Sequence, residues 1–155
     1  MTNAISSIPA NRVQEASFLG GRVLRQTLPA IQGAPLADVS RLKRLLLPQG
    51  ELAQVHDGPE GMHYIALVEL RADAVRGNHF HRVKQEWLYI FQGEARLTVA
   101  LVDSSERETI ALRAGDLAFI PPGIAHAIRT LQPGLGLEFA ATRFDAADVH
   151  PFRLE

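Results

Sequence analysis

The chain has 155 residues, 46% of them hydrophobic, which is enough to bury one core and gives no sign of a second domain. Lys+Arg 16 against Asp+Glu 17 leaves a net charge of -1, so no broad basic face exists to hold a phosphate backbone and no nucleic-acid partner is expected. The absence of cysteine excludes disulfides and thiolate metal ligands; no segment approaches the roughly 18 apolar residues of a membrane span, and the amino terminus lacks a basic start followed by an apolar run, so a soluble cytoplasmic protein without a membrane partner is expected.

Residues 1–40 carry little periodicity and read as an irregular amino-terminal segment. Val13 to Leu19 has the pattern of a short helix, and Gly20, Gly21, Pro29, Gly33 and Pro35 break the next stretch into loops. From residue 41 extended runs dominate: Arg41 to Leu47, Glu51 to His56, Met62 to Arg71, Val75 to Arg82, Glu86 to Gln92, Glu94 to Val102, Arg107 to Leu112, Leu117 to Ile120, His126 to Leu131 and Leu135 to Thr142. Glycine, proline or acidic turns separate them. Many short strands so punctuated predict an all-β sandwich or barrel over 41–155, with the tail from Phe144 as an irregular wrap over its surface.

Within this pattern the stretch from Gly77 to Gly93, GNHFHRVKQEWLYIFQG, carries the chemistry. Residues two apart on a strand share a face, so His79 and His81 point one way while Asn78, Phe80 and Arg82 point the other. A turn through Arg82 to Gln85 into a second strand would bring Glu86 back beside the imidazoles, as a hairpin. On that second strand Leu88 and Ile90 share the face of Glu86, whereas Trp87, Tyr89 and Phe91 form an aromatic stripe on the other. The stripe either packs under the amino-terminal segment or forms a dimer interface.

A second window, GDLAFIPPGIAHAIRT from Gly115 to Thr130, adds His126 as a fourth candidate ligand directly after a Pro-Pro-Gly turn. Three neutral imidazoles and one carboxylate around a dication leave a charge near +1 and coordination positions open to water or substrate. Zinc, iron, manganese, nickel and copper all suit this set, and the ligands alone fix no reaction. His63, Tyr64, Arg76, Arg96 and Glu138 lie on or near strands where they can line a pocket.

Together the two windows resemble the cupin family. Its first motif, glycine, HxH, three or four residues, glutamate, six residues and glycine, is met by His79, His81, Glu86 and Gly93, and its second by Gly115, Pro121, Gly123 and His126, with Thr130 where the family often has asparagine. The resemblance implies a double-stranded β-helix, or jelly-roll barrel, one divalent metal ion on His79, His81, Glu86 and His126, and a homodimer. The wording from Arg76 to Glu86, with Arg143, Phe144 and Asp145, is similar to the cupin domain of capsular-polysaccharide sugar-nucleotide epimerases. That similarity implies a metal-dependent enzyme performing isomerase or epimerase chemistry on a keto sugar or similar carbonyl compound, and, for an anionic substrate, Arg76, Arg82, Lys84 and Arg96 as candidate cations near the mouth, with strand alternation pointing Arg82 away from the ligand side. An iron-dependent dioxygenase and a non-catalytic ligand-binding cupin are the other readings.

Overall fold

The computed structural model describes residues 10–33 and 39–155, and these are almost wholly β. The strands are β1 (Gln14–Phe18), β2 (Val23–Thr27), β3 (Ala30–Gln32), β4 (Lys43–Leu47), β5 (Gly50–Gln54), β6 (Tyr64–Leu70), β7 (Val75–Phe80), β8 (Glu86–Leu101), β9 (Arg107–Arg113), β10 (Asp116–Ile120), β11 (Ile124–Ala140) and β12 (His150–Pro151). One 3-10 turn, Ala146–Asp148, interrupts the tail.

Two long strands organise the barrel. The first part of β8 pairs with β10 on one side and with the last part of β11 on the other; its second part pairs with β9 and with the first part of β11. One layer therefore runs β1-β2-β10-β8-β11-β6 and the other β9-β8-β11-β7-β12, with β8 and β11 continuing from one layer into the other. The bend falls where Gly93 lies beside Pro133 and Gly134. Gly93 has φ 86°, and a Cβ there would sit 2.5 Å from the Gln132 carbonyl, so only glycine lets the two backbones cross this closely. The runs expected as separate strands at Glu86 to Gln92 and Glu94 to Val102, and at His126 to Leu131 and Leu135 to Thr142, are thus continuous, with the register shifts of β11 at the bend.

The core between the layers is built from the alternation of these strands: Leu88 and Ile90 of β8 meet Leu97, Val99, Ile110, Ile124 and Ile128. Leu88 and Ile90 are fully buried, each contributing about 1.5–3 kcal/mol of transfer free energy. The aromatic stripe on the opposite face is covered within the chain. Trp87, Tyr89 and Phe91 pack with Phe139, Leu117 and Leu28 beneath Leu42, Ala53, Val55 and Met62, and the sheet β3-β4-β5 supplies part of that cover.

The helix expected over Val13 to Leu19 is corrected by the structure: Gln14–Phe18 is a strand. A helix of about two turns is marginal in isolation, and here Leu19, Gly20 and Gly21, all at positive φ, turn the chain so that β1 pairs with β2. Strand β2 in turn pairs with β10, so part of the amino-terminal segment extends the barrel sheet. The expected loop break at Pro35 lies outside the described residues. Among the described residues no helix is long and apolar enough to cross a membrane.

Candidate metal centre

The site forms where the two layers face each other. His79 near the end of β7 is directly opposite His126 on β11, and their ring centroids lie 4.7 Å apart. A register shift between His126 and Ala127 makes room for Gly77 and Asn78, both at positive φ, on the β7 side. This bulge aims His79, while His81 follows with its ring centroid 4.9 Å from that of His79. One nitrogen from each of His79, His81 and His126 lies within 4.8 Å of the others.

Glu86 arrives by a different route from the one expected. Strands β7 and β8 do not form a hairpin; β11 lies between them, and residues 82–85 carry the chain from one layer to the other. Glu86, the first residue of β8, therefore faces the imidazoles across the barrel, with Oε2 3.4 Å from His81 Nε2 and Oε1 3.6 Å from His126 Nε2. The hairpin fails because His79 has β11 as its hydrogen-bonding neighbour, which fills the place the returning strand would need.

Hydrogen bonds orient the rings. His81 Nδ1 donates to the main-chain carbonyl of Asp148 at 2.7 Å, and His126 Nδ1 donates to that of Ile124 at 3.2 Å, which turns both Nε2 atoms towards Glu86. A carbonyl only accepts, so both Nδ1 atoms carry a proton, and in a neutral ring with that tautomer Nε2 is left as the lone-pair donor. His81 Nε2 is buried and has no hydrogen-bond partner. An orphaned buried lone pair among two further imidazoles and a carboxylate fits a divalent metal, and the nitrogen-rich donor set suits zinc, iron, manganese, nickel or copper.

The electrostatics favour the deprotonated forms of His79 and Glu86. Burial, with His126 and His81 as neighbours, lowers the His79 pKa to about 4, so its ring is neutral at neutral pH. Burial opposes the charged form of His81, but the adjacent Glu86 carboxylate and the Asp148 carbonyl outweigh it and raise that pKa. Burial likewise penalises ionised Glu86, yet His81, His126 and Lys84 hold its carboxyl well below the usual range.

A cavity of about 220 Å³ opens over the cluster, and Tyr64, Arg76, Lys84, Glu138 and Phe144 line it with the imidazoles. Lys84, expected as a free cation at the mouth, is instead buried, with Nζ 2.9 Å from Glu86 Oε2, 2.7 Å from Glu138 Oε1 and 4.4 Å from the Tyr64 ring centroid. Burial and the charge of Glu138 raise the Tyr64 pKa, so its hydroxyl stays protonated at neutral pH. Of the other expected lining residues, Tyr64, Arg76 and Glu138 face this cavity and His63 is not part of its wall. Arg96 lies on the second half of β8, paired with Glu155 at 3.1 Å. No sequence signal points to Asp148, because its role depends on where the tail lands.

The family model for the cupin domain matches residues 66–138, from β6 into the end of β11. An oxalate decarboxylase, OxdC of Bacillus subtilis (strain 168), is 35% identical over 66 residues, 43% of this chain and 17% of that protein. The chain thus spans about a sixth of that curated relative. Among solved structures, a dTDP-4-dehydrorhamnose 3,5-epimerase from Sulfolobus tokodaii superposes with a TM-score of 0.66 at 16% identity, covering 87% of this chain and 78% of the other. The sugar 3,4-ketoisomerase QdtA from Thermoanaerobacterium thermosaccharolyticum, in complex with TDP, gives 0.62 at 19% identity, over 70% and 82%. At such identities these two likenesses concern the fold. With both motif windows inside the matched span, and two β layers joined through β8 and β11 around them, residues 66–138 match the cupin domain and the chain has the cupin jelly-roll fold.

Proposed function

We propose that the protein is a metal-dependent enzyme that moves a proton beside a carbonyl group of a small organic molecule, with a keto sugar as the leading substrate class. The observation that carries this reading is the convergence of His79, His81, His126 and Glu86 at the base of a cavity whose wall holds proton-bearing groups. A divalent ion on these four residues would polarise a carbonyl or enediolate oxygen. The chain's own groups then divide the remaining work. Glu138, in the cavity wall and apart from the imidazole cluster, is the base for the carbon-bound proton, and the protonated Tyr64 hydroxyl is the donor that returns one. Lys84 fixes Glu138 against Glu86 and keeps the two carboxylates from repelling each other.

The solved epimerase and ketoisomerase support the sugar reading through a shared architecture. The oxalate decarboxylase similarity favours a second reading, metal-assisted chemistry on a small carboxylate, which a cavity of about 220 Å³ accommodates. Elemental analysis of protein purified without added metal, then turnover assays with nucleotide-linked keto sugars, oxalate and related acids, and oxygen uptake, separates the readings. Isomerisation without oxygen consumption or carbon dioxide release supports the first; carbon dioxide release from a dicarboxylate supports the second. Stoichiometric ligand binding with no turnover would leave a binding cupin. A homodimer is part of the same proposal. Because the aromatic stripe is covered within the chain, it would form through the exposed Ile65 and Leu67 of β6.

A further inference from the structure

The tail beyond the matched cupin span meets the centre at several residues, and Asp148 is the one hydrogen-bonded to His81. After the 3-10 turn Ala146–Asp148, whose entry is capped by Asp145 accepting from Ala147 N at 2.9 Å, the chain pairs His150 with Phe80 and Pro151 with His79. Asp148 sits between these anchors. Its carboxylate, buried and without a lysine or arginine partner, accepts from the main-chain N–H of Arg82 at 2.7 Å, of Val83 at 3.2 Å and of Lys84 at 2.9 Å. The imidazoles of His150 and His81 lie farther off, at 3.7 Å and 3.8 Å. Its main-chain carbonyl accepts a hydrogen bond from His81 Nδ1–H.

We infer that Asp148 is a positioning residue for the metal centre, with its carbonyl selecting the His81 tautomer and its carboxylate holding the 82–84 link that delivers Lys84 and Glu86. The inference rests on the metal-binding reading above. The two roles are mechanically joined. Three N–H bonds pin residue 148 to the link, so its carbonyl stays at 2.7 Å from His81, and the lone pair on Nε2 stays aimed at the cluster. Without those bonds the carbonyl is free to drift. His81 then divides between tautomers, and one of them places a proton where a metal must bind. A simple loop cap would stabilise the fold without reaching this nitrogen.

The test uses the full chain and two readouts. Long-range proton–nitrogen spectra of the metal-free, histidine-labelled protein at alkaline pH report the tautomer of each ring, and titration with cobalt(II), followed by its visible absorption, reports affinity and coordination. The expected result is a His81 proton on Nδ1 in the wild type, mixed tautomers in Asp148→Asn, and about 10- to 100-fold weaker cobalt binding in that variant. The side-chain amide introduced by Asp148→Asn would keep one acceptor oxygen and oppose the remaining main-chain N–H groups with its own NH₂. Asp145→Ala, which removes a cap on the same turn, serves as the structural control and should keep the wild-type tautomer. A wild-type His81 protonated on Nε2 would overturn the inference even if Asp148→Asn failed to fold. So would an Asp148→Asn protein with unchanged tautomer and affinity. Should the wild type take up no cobalt, the metal reading falls, while the tautomer spectra still decide the role of Asp148.

Discussion

Lys84 and Glu86 form a buried ion pair, Nζ to Oε2 2.9 Å, at the edge of the imidazole cluster, so the carboxylate that faces His81 and His126 also carries a protein cation. An ammonium beside a dication repels it. At an effective dielectric near 20 that repulsion exceeds the roughly 1.4 kcal/mol that corresponds to a factor of ten. Lys84→Met should therefore tighten metal binding by about tenfold or more. It should also lower the melting temperature of the metal-free protein, since Glu86 and Glu138 lose their shared partner, at a cost of roughly 3–5 kcal/mol. Isothermal titration and thermal melts with and without metal measure both; weaker binding would contradict the assigned geometry.

His126→Ala and Glu86→Ala should abolish stoichiometric metal uptake, because each removes a donor facing the cluster. Trp87→Ala provides the contrast. Trp87 stacks on Phe139 with rings 4° from parallel and 5.8 Å apart, on the face away from the site. Its truncation should reduce stability by about 3 kcal/mol and leave metal occupancy intact. Elemental analysis alongside urea unfolding separates the two effects, and equal occupancy in all three variants would refute the ligand assignment.

Gly77→Ala should damage the site through the backbone. Gly77 has φ 87°, and an added Cβ would lie 2.7 Å from the His126 carbonyl. The left-handed conformation alone costs an L-residue about 1–2 kcal/mol, and relieving the contact must push β7 away from β11 at the level of His79. The expected outcome is a lower unfolding free energy together with weaker metal binding. A variant that loses stability but retains affinity would separate the bulge from the aim of His79.

Acid stability should depend on Glu155. Its carboxylate accepts from Arg129 Nε at 2.6 Å, from Thr98 Oγ1 at 2.8 Å and from Arg96 Nη2 at 3.1 Å. Burial opposes ionisation, but these donors lower the pKa to about 2 from an ordinary 4.5. A lowered folded-state pKa contributes stability that is fully present above pH 4.5 and is lost as pH falls towards 2. Unfolding free energies of the wild type should thus fall over that window more steeply than those of Glu155→Gln, and parallel curves would count against the clamp.

The outer face of β6 should control assembly. Ile65 and Leu67 are 65% and 73% exposed on a strand that pairs only with β11 among the described residues. Leu67→Asp should shift the protein from dimer to monomer in light scattering without loss of metal uptake. A wild type that is monomeric at all concentrations would remove the dimer from the proposal.

What the sequence by itself determined was local and periodic. The alternation in β8 separates Leu88 and Ile90 from Trp87 and Tyr89, the HxH spacing gives His79 and His81 a common direction, and the glycine and proline positions mark the turns; each is set within a few residues by backbone sterics and side-chain burial. The two motif windows then identified the fold and named the residues that meet. Tertiary structure decided which strands became neighbours. Non-local pairing placed β11 between β7 and β8 where a hairpin was expected, and paired β2 with β10, which anchors the local hairpin that makes a strand of Gln14–Phe18. It also turned Lys84 inward between two carboxylates and laid Asp148 beneath His81, 67 residues away in the chain. No periodicity encodes such contacts, since they depend on where a tail lands once the layers have closed.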